Sequence, residues 1–398
     1  MKKFVVPAVI TGFLISLEYG ITRPASNAIF ITQFSPDYFP YAWLAMVPLN
    51  FLVISFYNRL VTLWGCVKTF LVSTSIVSTI NILTAIFALD IPLLAFLQFI
   101  CKDIYILLMF KQLWSLVHHS MDTAKAKYLY GLLFGVGSFG STLGGLFPSF
   151  FAVNIGSNKL FYFTLPIYLA ISYSYYLTYS RSGGVAFTSE EKGSFSLIKK
   201  SRLLPYILLL VIAMQISIAF IDYQFHVLLQ KNIPTLDLRT QYCGRAFTFI
   251  NFLAMTCQVF GSYLFIHFLG LKNIHRLIPF VLIANVLLFL LFPTFGVISY
   301  AFIMIKTIDF SFFGVAKEML YTPLSTEEKF QGKAIIDIFA SRTAKAFASF
   351  LLLFCQFLLH DHTITLVSYL AIGIYALWIA VAFKMFTPAP SGEARVKF

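Results

Sequence analysis

Charge is scarce in this sequence. Of 398 residues only 29 are Lys or Arg and 16 are Asp or Glu, less than half the share that water-soluble domains carry. A soluble globule is excluded. Cysteine is scarce too: Cys66, Cys101, Cys243, Cys257 and Cys355 are odd in number, far apart and set mostly in apolar runs. Neither a disulfide framework nor a CxxC metal site can be built from them, so they read as small core hydrophobes. Exposed loops lack a Ser/His/Asp set, a carboxylate pair or a His/Cys cluster, and His360-Asp361-His362 supplies too few ligands for a metal. The sequence therefore predicts no enzyme, no metal site and no cofactor.

Apolar residues make up 59% of the chain. A helix needs about 20 of them to cross a hydrocarbon core of about 30 Å, and segmentation between charge and turn clusters predicts twelve such helices. They lie near 4–31, 41–57, 68–88, 92–117, 128–152, 160–180, 204–230, 246–269, 277–293, 297–316, 334–359 and 364–385. The first apolar run continues through Glu18 and Arg23, which argues for an uncleaved first helix and against a secretory signal. The longest polar interruption, with Glu190, Glu191, Lys192, Lys199, Lys200 and Arg202, divides the sequence into a six-helix half (1–180), a linker (181–203), a second six-helix half (204–386) and a tail (387–398). The predicted fold class is thus an all-α membrane protein of twelve transmembrane helices in two six-helix halves.

Lys and Arg sort by side. With the N-terminus inside, nineteen fall on that side, only Lys159, Lys231, Arg239 and Arg245 on the other, and six within spans. Cytoplasmic loops hold the positive excess, so both termini are predicted to be cytoplasmic and the protein to be multi-pass. The net charge of +13 is then an orientation signal and no nucleic-acid surface is expected.

Gly135-Val-Gly137-Ser-Phe-Gly140 has the literal spacing of a dinucleotide-binding loop, but it lies in an apolar span and lacks the βαβ context. Gly140 and Gly144 are instead spaced for close helix packing. Eleven ionisable residues fall within predicted spans: Glu18, Arg23, Lys102, Asp103, Lys111, Asp222, Lys306, Asp309, Asp337, Arg342 and Lys345. Charge at such depth costs several kcal/mol and marks pathways or internal pairs. It falls on five predicted helices, which suggests one central polar cavity, and Lys306 with Asp309 has ion-pair spacing. Asp222 and His226 share a helix face, a spacing suited to a proton-linked acid and imidazole. Arg23 precedes Pro24, where a helix loses a hydrogen bond, so a broken first helix is expected.

The segment from Lys317 to Ser349 carries the most information. Lys317, Glu318, Met319, Tyr321, Pro323, Leu324, Gly332, Lys333, Ala334, Ile336, Asp337, Arg342, Lys345 and Ser349 resemble the signature of the ATP/ADP translocases of plastids and obligate intracellular bacteria. Trp114 with Ala126, Lys127 and Tyr130, and the stretch Phe220 to His226 with Lys231 and Pro234, are similar to two more segments of that family. The resemblance implies a major-facilitator-like fold, alternating access and a small anionic substrate, with nucleotide exchange the leading mode and a monomer the expected state. It implies phosphate-facing roles for Arg23, Lys102, Lys306, Arg342 and Lys345. Asp222 with His226, and Asp337, would make contacts between the halves or couple a proton. Asp103 joins the translocation set, and Lys127, Lys317, Glu318 and Lys333 belong to a gate or signature loop. The sequence departs from the family in its first helix, where Ser26 and Asn27 stand near the place of a Lys-Asp pair, and at Lys102, Asp222 and His226. Import of another small solute with protons is the alternative, and a non-transporting receptor or scaffold the third reading.

Overall fold

The computed structural model describes residues 2–120, 123–182, 198, 201–258, 262–325, 328, 332, 336 and 340–387. They form an all-helical protein. Helices α1 (Lys2–Phe34), α2 (Phe39–Phe87), α3 (Pro92–Ser120), α4 (Thr123–Ile155) and α5 (Thr164–Ser180) come first. They are followed by α6 (Leu204–Asn232), α7 (Leu236–Thr256), α8 (Ser262–Leu291), α9 (Phe295–Ile308), α10 (Gly314–Leu320), α11 (Ser341–Leu358) and α12 (Thr363–Met385). A π turn, Asp309–Phe313, joins α9 to α10, and eight helical stretches among the described residues are long and apolar enough to cross a membrane.

Two expected helix boundaries fall at glycines. The helices expected over 41–57 and 68–88 meet at a kink at Gly65, with φ 77°, and helix runs up to it on both sides. In α8 the kink falls at Gly270, with φ 73°. A Cβ at either glycine would meet nothing within 4 Å, so glycine is needed there for its dihedral freedom and not for space. The first helix, by contrast, is not broken at Pro24: α1 continues through it to Phe34. Where a start near 246 was expected, α7 begins at Leu236. Its polar first turns are satisfied by protein instead of water, since Arg239 donates to the carbonyls of Gln230, Ile233 and Pro234, which close α6.

The chain forms two compact units, each described by itself. The first comprises Met1–Tyr38, Ala45–Ser189 and Leu229–Met255. Its centre is α1, which crosses α4 at glycine positions: a Cβ on Gly144 would lie 2.1 Å from the Leu17 carbonyl oxygen, and one on Gly140 would lie 2.5 Å from that of Phe13. The glycine spacing read from sequence is therefore a backbone-to-backbone crossing. On its other sides α1 packs against α3 and α5, and Phe70 of α2 stacks on Tyr175 of α5 at 3.8 Å. α7 reaches α4 by the same device, with a Gly244 Cβ position 2.9 Å from the Ser149 nitrogen.

The second unit comprises Phe39–Leu44, Glu190–Leu228 and Thr256–Phe398. Here α12 lies along α8, and Trp378 meets Phe313 edge-on at 5.5 Å. α11 shows how a sequence so rich in Phe divides its faces. Phe347, Phe350, Phe354 and Phe357 are exposed, the last by 87%, while Ala344, Ala348, Leu352 and Cys355 are buried. Both sets recur every three or four residues, so one stripe suits lipid and the other suits neighbouring helices.

Candidate functional site

The intramembrane charges collect in one group per unit. In the second unit, Lys306 near the end of α9 is 3% exposed. Its Nζ lies 2.9 Å from Asp222 Oδ1 and 3.0 Å from Oδ2 on α6. The expected i, i+3 partner, Asp309, sits one turn on, within electrostatic reach of Lys317, Lys306 and Asp222. Asp309 opens the π turn, a distortion found often at functional sites, and Gln258 Nε2 donates to the Phe310 carbonyl within that turn.

His226 does share a helix face with Asp222, but the bond is to the backbone. Its Nδ1 donates to the Asp222 carbonyl oxygen at 2.6 Å, which leaves the Asp222 carboxylate on Lys306. Around the imidazole runs a ladder of rings. Phe39 meets it edge-on at 4.9 Å, Trp43 stacks on Phe39 at 5.5 Å, and Phe225 stacks on Phe302 at 4.0 Å. A cation stands at each end: Lys306 Nζ lies 5.0 Å from the Phe302 ring centre, and Lys345 Nζ lies 4.9 Å from that of Trp43. Lys345 is half-buried, on α11.

In the first unit, Arg23 is half-buried and places its guanidinium 4.0 Å over Phe247 and 5.6 Å from the Tyr19 ring centre. Tyr19 donates to Asp103 Oδ1 at 2.9 Å. Asp103 also pairs with Lys102 at 3.3 Å, and the lysine, 2% exposed, donates to the Phe99 carbonyl at 3.2 Å. All four cations lie by aromatic rings, but Lys102 and Lys306 are buried and paired with carboxylates, while Arg23 and Lys345 are partly accessible. Glu18 belongs to neither pair: it is fully buried and held by Thr22 and Tyr105.

Of the signature segment, Lys317 Nζ lies 3.8 Å from Glu318 Oε1, and Tyr321 and Leu324 are buried. A Cβ on Gly332 would lie 2.7 Å from Leu204 Cδ1, so that glycine makes room for α6. Lys333 and Asp337, and the side chains of Lys127 and Arg342, lie outside the described residues. The aromatic partners Phe39, Trp43, Phe247 and Phe302 were not singled out from sequence. With 46 Phe in the chain, no local pattern separates a ring under a cation from one against lipid.

The family model of the TLC ATP/ADP transporters matches residues 181–387. This chain belongs to the TLC ATP/ADP transporter family. No curated protein sequence matches it, but solved transporters share its fold. The nucleoside transporter NupG aligns with TM-score 0.61 at 11% identity, over 96% of this chain and 98% of that one. A bacterial homologue of the iron transporter ferroportin, inward-facing, aligns at 0.66 and 12%, over 97% and 99%. An auto-inhibited POT family peptide transporter aligns at 0.64 and 9%, over 100% and 99%. The TLC chain is therefore a multi-pass membrane transporter whose fold solved transporters share, and its family and structural neighbours are transporters, not enzymes.

Proposed function

We propose that this transporter carries a nucleotide, with ATP for ADP exchange as its mode, across the bacterial inner membrane by alternating access. The observation that carries the reading is Lys345 above Trp43, itself stacked on Phe39. A nucleotide presents an anionic phosphate chain, and a half-buried lysine held over the face of a buried ring pair offers it a positioned cation. Arg23 over Phe247 repeats the pairing. Arg23, Lys345 and Arg342 are assigned phosphate-facing roles. Lys102 and Lys306 reach the phosphate chain by exchanging Asp103 and Asp222 for phosphate oxygens, a swap that keeps each ammonium paired throughout.

Twelve crossings in two six-helix halves, with both termini cytoplasmic, fit this reading. In support, α2 and α8 each kink at a glycine, Gly65 and Gly270, where one crossing can end and the next begin, and Phe295–Leu320 is long enough for one crossing. Asp337, Lys127, Lys317, Glu318 and Lys333 are assigned to the gate and signature loop, and the transporter works as a monomer. Import of another small solute with protons is the second reading, favoured by His226 bonded to the turn that carries Asp222.

The test is uptake of radiolabelled ATP by intact bacteria expressing the protein, with excess unlabelled ADP or an uncoupler. Saturable uptake, competed by ADP and indifferent to the uncoupler, is expected. No nucleotide uptake by verified inserted protein overturns the nucleotide assignment, and loss of uptake with the uncoupler replaces exchange by proton coupling.

A further inference from the structure

Glu18 is the one intramembrane carboxylate of α1, and the site above makes no use of it. Its exposure is 0%. Thr22 donates to Oε1 and Tyr105 of α3 to Oε2, and Tyr168 on α5 and Asn81 on α2 are the next polar neighbours. All four are neutral. Asp103 and Asp222 differ from it, since each holds a lysine at 3.3 Å or less. A buried carboxylate without a counter-charge costs several kcal/mol. A carboxyl set among hydroxyls can be satisfied in two forms, because a hydroxyl both donates and accepts. Ionised, it takes the protons of Thr22 and Tyr105; neutral, it donates its own to one of their oxygens.

The set continues away from Glu18. Asn81 donates to Tyr168 at 3.3 Å and to Thr164 at 3.0 Å, and Gln98 donates to Asn81 at 2.8 Å, all of them buried. The facing titratable groups are Tyr105 on α3 and Tyr168 on α5. The nearby charges are Lys102 and Asp103 on α3 and Arg23 on α1. α4 brings none from residue 132 to its end, and α2 brings Asn81. Tyr19, next to Glu18 in the chain, bonds to Asp103, and Arg23 follows five residues later on the same helix.

We propose that Glu18 is a proton-binding site of the transport cycle, its carboxyl gaining and losing a proton while the hydroxyls of Thr22, Tyr105 and Tyr168 re-pair around it. The proton comes from water and returns to it, and only O–H bonds form and break. This lies on a different helix and in a different unit from Asp222 and His226. It rests on the transporter reading for its role in the cycle, but the binding of the proton is independent of substrate.

The experiment is infrared difference spectroscopy of the purified full-length protein in lipid, cycled between neutral and acid pH. A carboxylic acid carbonyl band that appears on acidification, is lost in Glu18→Gln and changes frequency in Tyr105→Phe is expected, since the phenol bonds the carboxyl. The Tyr105→Phe variant keeps the test open if Glu18→Gln does not insert. A band that does not titrate, or is unchanged in both variants, overturns the proposal. In a second arm, ATP uptake is followed against external pH, where Glu18→Gln is expected to flatten the profile. Absence of ATP uptake in the wild type defeats the nucleotide reading and leaves the infrared result to decide on Glu18.

Discussion

Two intramembrane carboxylates, one from each unit, are held in opposite ways. Asp222 in the second unit holds Lys306 at 2.9 Å, whereas Glu18 in the first is closed in by hydroxyls and an amide. An ion pair fixes both charges: neither partner is lost without leaving the other in a poor environment. A hydroxyl cage tolerates a change of charge at its centre. The same element, an acid inside a membrane helix, is thus built for permanence or exchange at Asp222 and for protonation at Glu18.

The largest effect is expected where the ion pair is cut. Asp222→Asn takes the nearest counter-charge from a lysine that is 3% exposed, and the loss is about 3–5 kcal/mol, read as a lowered midpoint of thermal unfolding in detergent. Asp222→Asn combined with Lys306→Met is expected to recover most of it. Glu18→Gln is expected to cost about 1 kcal/mol or less, because the amide keeps hydrogen bonds to its neighbours. Equal losses for the two single variants would erase the contrast.

Next in size is the crossing of α1 on α4, which unit one makes through glycine. Gly144→Val places a branched side chain where even a Cβ would lie 2.1 Å from a carbonyl oxygen, and overpacking of this kind costs about 1–3 kcal/mol. Gly135→Ala on the same helix meets nothing within 4 Å and should stay within about 0.5 kcal/mol of wild type. Both are read by thermal stability, and a similar loss at both positions would mean that the crossing does not depend on glycine.

Lys345→Ala sharpens the comparison on the functional side. It is expected to lower ATP uptake about tenfold, equivalent to about 1.4 kcal/mol, with little change in unfolding temperature, since the cation lies on Trp43 and is half-buried. Lys345→Arg retains uptake, because a guanidinium also stacks on an indole. The smallest effect is the one that should not differ between the units. Gly65→Ala and Gly270→Ala each force a side chain to φ above 70°, and each costs about 1 kcal/mol. Unequal losses would show that the two bends are different devices.

Much of the fold was legible because the bilayer restricts what a sequence can do. Long apolar runs must be helices, and the match to helices 204–230 and 364–385 is within two residues at each end. The expected divisions near 57–68 and 269–277 fall at the kinks of Gly65 and Gly270. The start of α7 differs from the expectation because its polar residues do not need water: Arg239 is satisfied by the carbonyls at the end of α6. Gly140 and Gly144 were read as a packing surface, and their spacing alone sufficed. For the site, the charged residues could be named from sequence, since each is conspicuous in an apolar run. Their partners could not, because hydrogen-bonding and stacking partners come from helices distant in the chain.

What the amino-acid sequence determined by itself is the setting and the family: a chain this apolar must lie in lipid, and the segment from Lys317 to Ser349 places it among TLC transporters. Only the tertiary structure decided which charges are already paired and which are accessible. It put Asp222 on Lys306 across 84 positions of chain, Lys345 over Trp43, and Glu18 among hydroxyls. Composition and spacing act along the chain, but desolvation and hydrogen bonding depend on what lies within a few ångströms in space, and that is set by how the helices cross.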